Sequence, residues 1–171
     1  MKKNKVVFLD RDGTINIDLG YVHDSNQLKF IDGSIEGLKL LKDNGYILII
    51  ITNQSGIGRG YFTEDEYKKF NDYYLKLLSS YGVNIDKVYY CPHIDEDNCE
   101  CRKPKLKLFY DAINEFNIDL DNSYAIGDKL RDLSICKETN IKGILLNDKN
   151  DNYIYCKDLL EASKYIVNNK K

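Results

Sequence analysis

Apolar residues in this chain fall into short unbroken runs, separated by longer stretches in which they recur every three or four positions. Lys5 to Leu9 is one such run, ending at Asp10, and Tyr46 to Ile51 is another, ending at Thr52-Asn53-Gln54. Runs of this length suit strands covered on both faces of a parallel sheet. Lys87 to Tyr90, Ser123 to Ile126 and Gly143 to Leu146 are shorter candidates of the same kind. Helical patterns lie between them. Ser34 is placed to cap a helix carrying Ile35, Leu38 and Leu41, which Gly45 stops. Thr63 and Glu66 form a capping-box pair ahead of Tyr67, Phe70, Tyr74, Leu77, Leu78 and Tyr81, and Gly82 ends that stretch. Its aromatic stripe reads as core packing rather than a ligand box. Leu106, Phe109, Ile113 and Phe116 mark a third helix, and Leu159, Leu160, Ile166 and Val167 a last one. The alternation predicts an α/β fold, a Rossmann-like three-layer domain with a mainly parallel central sheet.

Composition adds limits. The 171 residues fit a single domain spanning 1–171, and 43% hydrophobic with 30% charged residues is ordinary for a soluble globular chain. A formal charge of −2 gives no basic field, so no nucleic-acid partner is expected. No apolar run approaches the roughly 20 residues that span a bilayer. The basic start, Met1 to Lys5, precedes an apolar run too short for the about 7–15 residues of a signal peptide. No membrane partner and a cytoplasmic location are therefore expected. The Asn- and Lys-rich segments 147–152 and 168–171 read as solvated loop and tail.

The chemistry begins with Asp10 and Asp12, directly after the first strand and followed by Gly13 and Thr14. At the end of an extended segment, positions i and i+2 point the same way, so both carboxylates can face one substrate. One can attack phosphorus to form an acyl phosphate, and the other can protonate the leaving oxygen and then activate water. Gly13 is expected to bring backbone N–H groups near phosphate oxygens. An Asp- and Gly-rich turn would explain the segment equally well if it stood alone. Three others follow it. Thr52-Asn53-Gln54-Ser55-Gly56 offers hydroxyl, amide and backbone donors, or is a polar turn. Arg102-Lys103-Pro104-Lys105 offers cations at the start of the third helix, or is a solvated basic run. Gly127-Asp128-Lys129, with Asp132 beyond, offers acids to complete an oxygen shell for Mg²⁺.

Five cysteines are present, and Cys91, Cys99 and Cys101 lie close together with His93. Three thiolates and an imidazole make a closed tetrahedral Zn²⁺ shell, which predicts a structural zinc-binding loop at about 91–101. Asp95, Glu96 and Asp97 within it argue against a nucleic-acid finger. Cys136 and Cys156 stand apart and read as packing residues. His23 is either a solvated loop residue or a pocket residue.

The four segments, in order from Val6 to Leu146, resemble the four motifs of the haloacid dehalogenase superfamily of phosphatases. The resemblance implies that Asp10 is the nucleophile, Asp12 the acid/base, and Thr52 and Lys103 the groups that stabilise the transferring phosphoryl. It implies a catalytic Mg²⁺ held by Asp10, the Asp12 carbonyl and Asp128, with Asp132 just behind. The cysteine loop and the lack of room for a large cap domain are similar to the subgroup acting on D-glycero-D-manno-heptose 1,7-bisphosphate or histidinol phosphate. Asn16 to His23 and Thr52 to Glu64 look like the heptose enzymes, and Cys101 to Leu108 more like the histidinol enzymes. The first blocks carry the loops expected around the substrate, so a small phosphorylated sugar is expected. Asp18, Gly20, Tyr21, Thr52, Asn53, Gln54, Ser55, Arg59, Arg102, Lys103 and Lys129 would bind it, Arg59 and Arg102 being the surplus cations for the uncleaved phosphate. Such an activity would supply nucleotide-activated heptose for surface glycans such as lipopolysaccharide. A phospho-accepting regulator would need neither Asp12 nor a metal-pinned loop, and a pure zinc-binding module would not need Asp10. The open site gives no reason for an oligomer, and a monomer is expected.

Overall fold

The computed structural model describes residues 2–169; Met1, Lys170 and Lys171, the outermost residues of the basic start and the expected tail, lie outside the described residues. Six strands form one all-parallel sheet: β1 (Val6–Leu9), β2 (Ile47–Asn53), β3 (Lys87–Cys91), β4 (Tyr124–Gly127), β5 (Lys142–Leu146) and β6 (Ile154–Cys156). Their order is β3-β2-β1-β4-β5-β6. Four helices cover the sheet: α1 (Ser34–Asp43), α2 (Glu64–Ser80), α3 (Lys107–Phe116) and α4 (Leu159–Asn168).

Side chains alternate across the sheet and build two cores. Val7, Leu9, Leu48, Ile50, Ile126 and Ile144 pack with α1, α2 and α4. Val6, Phe8, Ile49, Ile51, Ala125 and Leu145 pack with α3 and the 3₁₀ segment Leu130–Lys137. The result is the expected three-layer arrangement, and among the described residues β1 joins β2 and β2 joins β3 with no inserted cap domain. The chain runs outward from β1 to β3 and then crosses back to β4. Leu9 is in register with both Ile50 and Ile126, so β1 and β4 end side by side at the switch point, while β2 runs on to Asn53 beside them. Ligands of open α/β sheets bind there.

Local expectations hold unevenly. Thr63 and Glu66 form the capping box of α2, with Glu66 N–H donating to Thr63 Oγ1 at 3.0 Å and Thr63 N–H to Glu66 Oε1 at 2.9 Å. Tyr67, Phe70, Tyr74 and Leu78 are buried on one stripe, but Tyr81 lies past the helix end and is exposed. Ser34 is the first helical residue of α1, not its cap. Gly33 holds the cap position at φ +82°, and a Cβ there would meet Leu160 Cδ2 at 2.9 Å, so the close approach of α4 leaves no room for a side chain. Arg102 to Lys105 do not open α3, which has Leu106 at its cap. Both ends of the Asn53 amide grip the backbone of Lys103, its Oδ1 accepting from Lys103 N–H at 2.9 Å and its Nδ2 donating to the carbonyl at 3.2 Å. That clasp holds the basic residues in a turn ahead of the helix. β6 is a strand the sequence reading lacks, and Asn168 belongs to α4 rather than to a tail.

Candidate active site

Asp10 is the residue after β1, its N–H donating to the Ile126 carbonyl at 3.2 Å, and its side chain is buried. Lys103 lies beneath it, 2% exposed and absent from the lining of the open cavity that holds Asp10 and Asp12. Lys103 Nζ donates to Asp10 Oδ1 at 3.0 Å, to Asp132 Oδ1 at 2.7 Å and to the Ile51 carbonyl at 2.6 Å. All three ammonium protons are thus engaged. Asp132 Oδ2 accepts from Lys129 N–H at 3.1 Å, so Asp132 is committed at both oxygens.

Asp10, Asp128 and Asp132 bring carboxylate oxygens within 4.8 Å of one another. Burial and then Asp132 drive the Asp10 carboxyl well above its ordinary value, against the pull of Lys103, and the same two causes raise Asp128. Three acids around one lysine carry a surplus of negative charge that a divalent cation would remove. Asp128 Oδ1 is buried without a hydrogen-bond partner, an acceptor that a metal ion would satisfy. With Asp132 committed to Lys103, Asp10 and Asp128 are the side chains free to face such an ion. Gly13 makes their approach possible. It sits at φ +89°, and a Cβ on it would lie 2.2 Å from Asp128 Oδ2. Its own N–H donates to the Asn16 carbonyl at 2.7 Å and closes the turn.

Asp12 turns to the same cavity as Asp10 and is clamped from behind by Arg11, a residue the sequence reading passes over. Arg11 is fully buried, with Nε 2.9 Å from Asp12 Oδ1 and NH2 3.0 Å from Oδ2, and NH2 also reaches the Val22 carbonyl at 2.7 Å. Its guanidinium lies over Phe70 and Tyr74 of α2, at 5.1 and 5.7 Å from the ring centres. Burial works against the guanidinium charge, but Asp12 more than offsets it and Arg11 is raised. Asn16 Nδ2 adds a bond to Asp12 Oδ1 at 2.9 Å, and Tyr74 Oη donates to Asn16 Oδ1 at 3.0 Å. The second carboxylate is therefore fixed by a network rooted in a helix.

The cavity has a volume of about 300 Å³. Besides Asp10 and Asp12, its lining takes in Asp18, Gly20, Tyr21, Thr52, Asn53, Gln54, Ser55, Arg59, Arg102 and Lys129, every one a residue singled out from the sequence, together with Arg131, which is not. Thr52 Oγ1 accepts from Gln54 Nε2 at 2.9 Å. Tyr21 is held at φ +54° at the mouth, with Tyr61 packed edge-on at 4.9 Å and Arg59 over its ring at 5.9 Å. His23 stacks on Phe62 at 4.4 Å, outside this cavity.

Beyond β3, Cys91, His93, Cys99 and Cys101 converge. Cys91 Sγ is 3.5 Å from His93 Nδ1, 3.6 Å from Cys99 Sγ and 2.7 Å from Cys101 Sγ, and His93 Nδ1 is 3.3 Å from Cys101 Sγ. Burial opposes the Cys99 thiolate, but backbone N–H groups of Arg102 and Cys101 overcome it and bring that thiol to about 6. A cluster of soft donors with one thiol already acidic suits a metal ion. Gln54 N–H donates to the Cys91 carbonyl at 2.7 Å and Gly58 N–H to the Pro92 carbonyl at 2.9 Å, stitching this loop to the one after β2. Cys156 is buried and Cys136 half-buried, away from the cluster.

Known proteins share this architecture. The family model described as polynucleotide kinase 3 phosphatase matches residues 5–157. The D-glycero-beta-D-manno-heptose-1,7-bisphosphate 7-phosphatase of Pasteurella multocida is 49% identical over 148 residues, 83% of this chain and 80% of that protein. The protein of the same name from Helicobacter pylori (strain J99) is 43% identical over 169 residues, 95% of this chain and 97% of that one. The crystal structure of D,D-heptose 1,7-bisphosphate phosphatase from B. bronchiseptica, complexed with magnesium and phosphate, matches with a TM-score of 0.86 at 27% identity, covering 96% of this chain and 98% of that one. With three strand-end segments and the basic turn before α3 meeting at one switch point, and relatives matched over most of their length, the chain belongs to the haloacid dehalogenase superfamily of phosphatases, in the family of the D-glycero-D-manno-heptose-1,7-bisphosphate 7-phosphatases.

Proposed function

We propose that this chain is a Mg²⁺-dependent phosphatase that hydrolyses the 7-phosphate of D-glycero-D-manno-heptose 1,7-bisphosphate through an aspartyl phosphate on Asp10. The observation that carries the reading is Asp10 and Asp12 lining one cavity with cations on its wall, in a chain 43–49% identical to enzymes named for this reaction. Asp10 Oδ1 is tied to Lys103, which leaves the second oxygen to attack phosphorus as the bond to the C7 oxygen breaks. Asp12 gives its proton to that leaving oxygen. It then takes a proton from the water that attacks the phosphoryl group, freeing inorganic phosphate and Asp10. Arg11 and Asn16 keep Asp12 aimed through both steps. Thr52 offers its hydroxyl to a phosphoryl oxygen, and Lys103 offsets charge on Asp10 from below.

Mg²⁺ would be held by Asp10, the Asp12 backbone carbonyl and Asp128, where it supplies charge neutralisation to the phosphoryl oxygens. Cys91, His93, Cys99 and Cys101 would hold a structural Zn²⁺ in a closed shell. The sugar would lie among Asp18, Gly20, Tyr21, Asn53, Gln54 and Ser55, with Arg59, Arg102 and Lys129 toward the phosphate that stays. Histidinol phosphate fits this wall less well. Its amine would meet those cations and find Asp18 as the one acid outside the reacting pair.

Phosphate release with Mg²⁺ from heptose 1,7-bisphosphate, histidinol phosphate and fructose 1,6-bisphosphate tests the reading. The heptose compound should be turned over fastest, and comparable rates on all three would sink the specificity. Asp10→Asn should reduce release to background with the far-ultraviolet circular dichroism unchanged; activity retained in that variant would remove the nucleophile.

A further inference from the structure

The cysteine loop reaches the substrate cavity through one ion pair. Asp95 opens the short 3₁₀ turn Asp95–Asp97 and accepts from Arg102 Nε at 2.6 Å. The Asp95 side chain stands in solvent, 80% exposed, whereas that of Arg102 is 13% exposed. Arg102 lines the cavity and Asp95 does not, so the carboxylate grips the guanidinium from outside the cavity. Arg102 NH1 remains buried with no hydrogen-bond partner. Arg131, on the wall of the same cavity, leaves its Nε buried and unpartnered too.

Arg102 and Arg131 set two guanidinium groups on one cavity wall, and each keeps a donor with no partner among the described residues. The acids lining the cavity are engaged elsewhere: Asp10 with Lys103, Asp12 with Arg11 and Asn16, and Asp18 with the Gly20 N–H. A phosphate, with several acceptor oxygens, matches such donors.

We propose that Arg131 joins Arg102 in recognising the phosphate that is not hydrolysed, and that Asp95 is a positioning residue holding Arg102 by its Nε on the cavity wall. This rests on the bisphosphate reading above. The loop that carries Asp95 is fixed in place by the converging side chains of Cys91, His93, Cys99 and Cys101, and by its stitches to the loop after β2. The cysteine cluster therefore acts on specificity at a distance, through the carboxylate it presents to Arg102. A substrate with a single phosphate has nothing for this device to read.

The test compares heptose 1,7-bisphosphate with para-nitrophenyl phosphate in the wild-type enzyme and in Asp95→Asn, Asp95→Glu and Arg131→Gln. In Asp95→Asn and Arg131→Gln, the KM for the bisphosphate divided by that for the probe should rise about three- to tenfold, the scale of one partly exposed charge contact. The kcat on the bisphosphate should stay within about twofold, because the lost interaction is made equally before and during the reaction. Asp95→Glu, which keeps the carboxylate, should recover part of the ratio. An unchanged ratio, or both KM values rising together, would overturn the proposal. A wild-type enzyme that cleaves the probe but shows no preference for the bisphosphate would instead remove the functional reading beneath it. Loss of fold does not confuse the outcome, since Asp95 is a surface side chain and the probe reports the reacting centre directly.

Discussion

Gly13 sets how closely the ends of β1 and β4 can meet. A methyl group there would strike Asp128 Oδ2 at 2.2 Å, and φ +89° is a conformation that side chains resist. Gly13→Ala should therefore push Asp128 from its place and raise the half-saturating Mg²⁺ concentration for phosphate release by about tenfold or more, as displaced metal-site residues do. Backbone strain should take about 1–3 kcal/mol from stability, read by urea denaturation. The acids of the site are legible in the sequence because each stands within a few residues of the end of an apolar run. Their supports are not. Arg11 stands between two aspartates and looks like a surface cation; only the packing of α2 against β1 shows that it turns inward over Phe70 and Tyr74. Asn16 likewise owes its fixed orientation to Tyr74, far away in the chain. Asp132, legible only as an acid near the metal, proves to be the counter-charge that fixes Lys103.

Among the elements, those that close on themselves were the easiest to read. The Thr63 and Glu66 pair satisfies two helix-end donors within four residues, so its effect is local and visible in the sequence. Thr63→Ala should cost about 1 kcal/mol, seen as a lower midpoint in urea, with no effect on the metal requirement. Starts that depend on a partner element were misread. Ser34 has the composition of a cap, but α4 pressing on Gly33 decides where α1 begins. The basic turn before α3 is shaped by Asn53, fifty residues earlier. β6 is only three residues long, and its pairing with β5 rather than its own pattern makes it a strand.

The alternation of patterns across the whole chain was enough to predict layers and strand direction. Strand order was not, because it depends on which of several similar apolar runs pair, and β1 and β4 are far apart in sequence. The cysteine cluster ties the end of β3 to the segment before α3, so its removal should loosen the cavity wall as a unit. Cys99→Ser should lower the thermal midpoint by about 5–10 °C, on a scale of about 2–4 °C per kcal/mol for a chain of this size, and elemental analysis should show reduced bound zinc. Wild-type stability in that variant would count against a structural metal. The central place of β1 also has a meaning for how the protein is made. β4, its second neighbour, starts at Tyr124, so a chain emerging from the ribosome holds β1 with one edge bare until that strand appears. At about 5–20 residues per second that interval is on the order of ten seconds. During it Asp10 has no Asp128 beside it, and an apolar strand edge stays open to other chains or to chaperones. The same late strand thus both completes the acid cluster and closes the edge of β1.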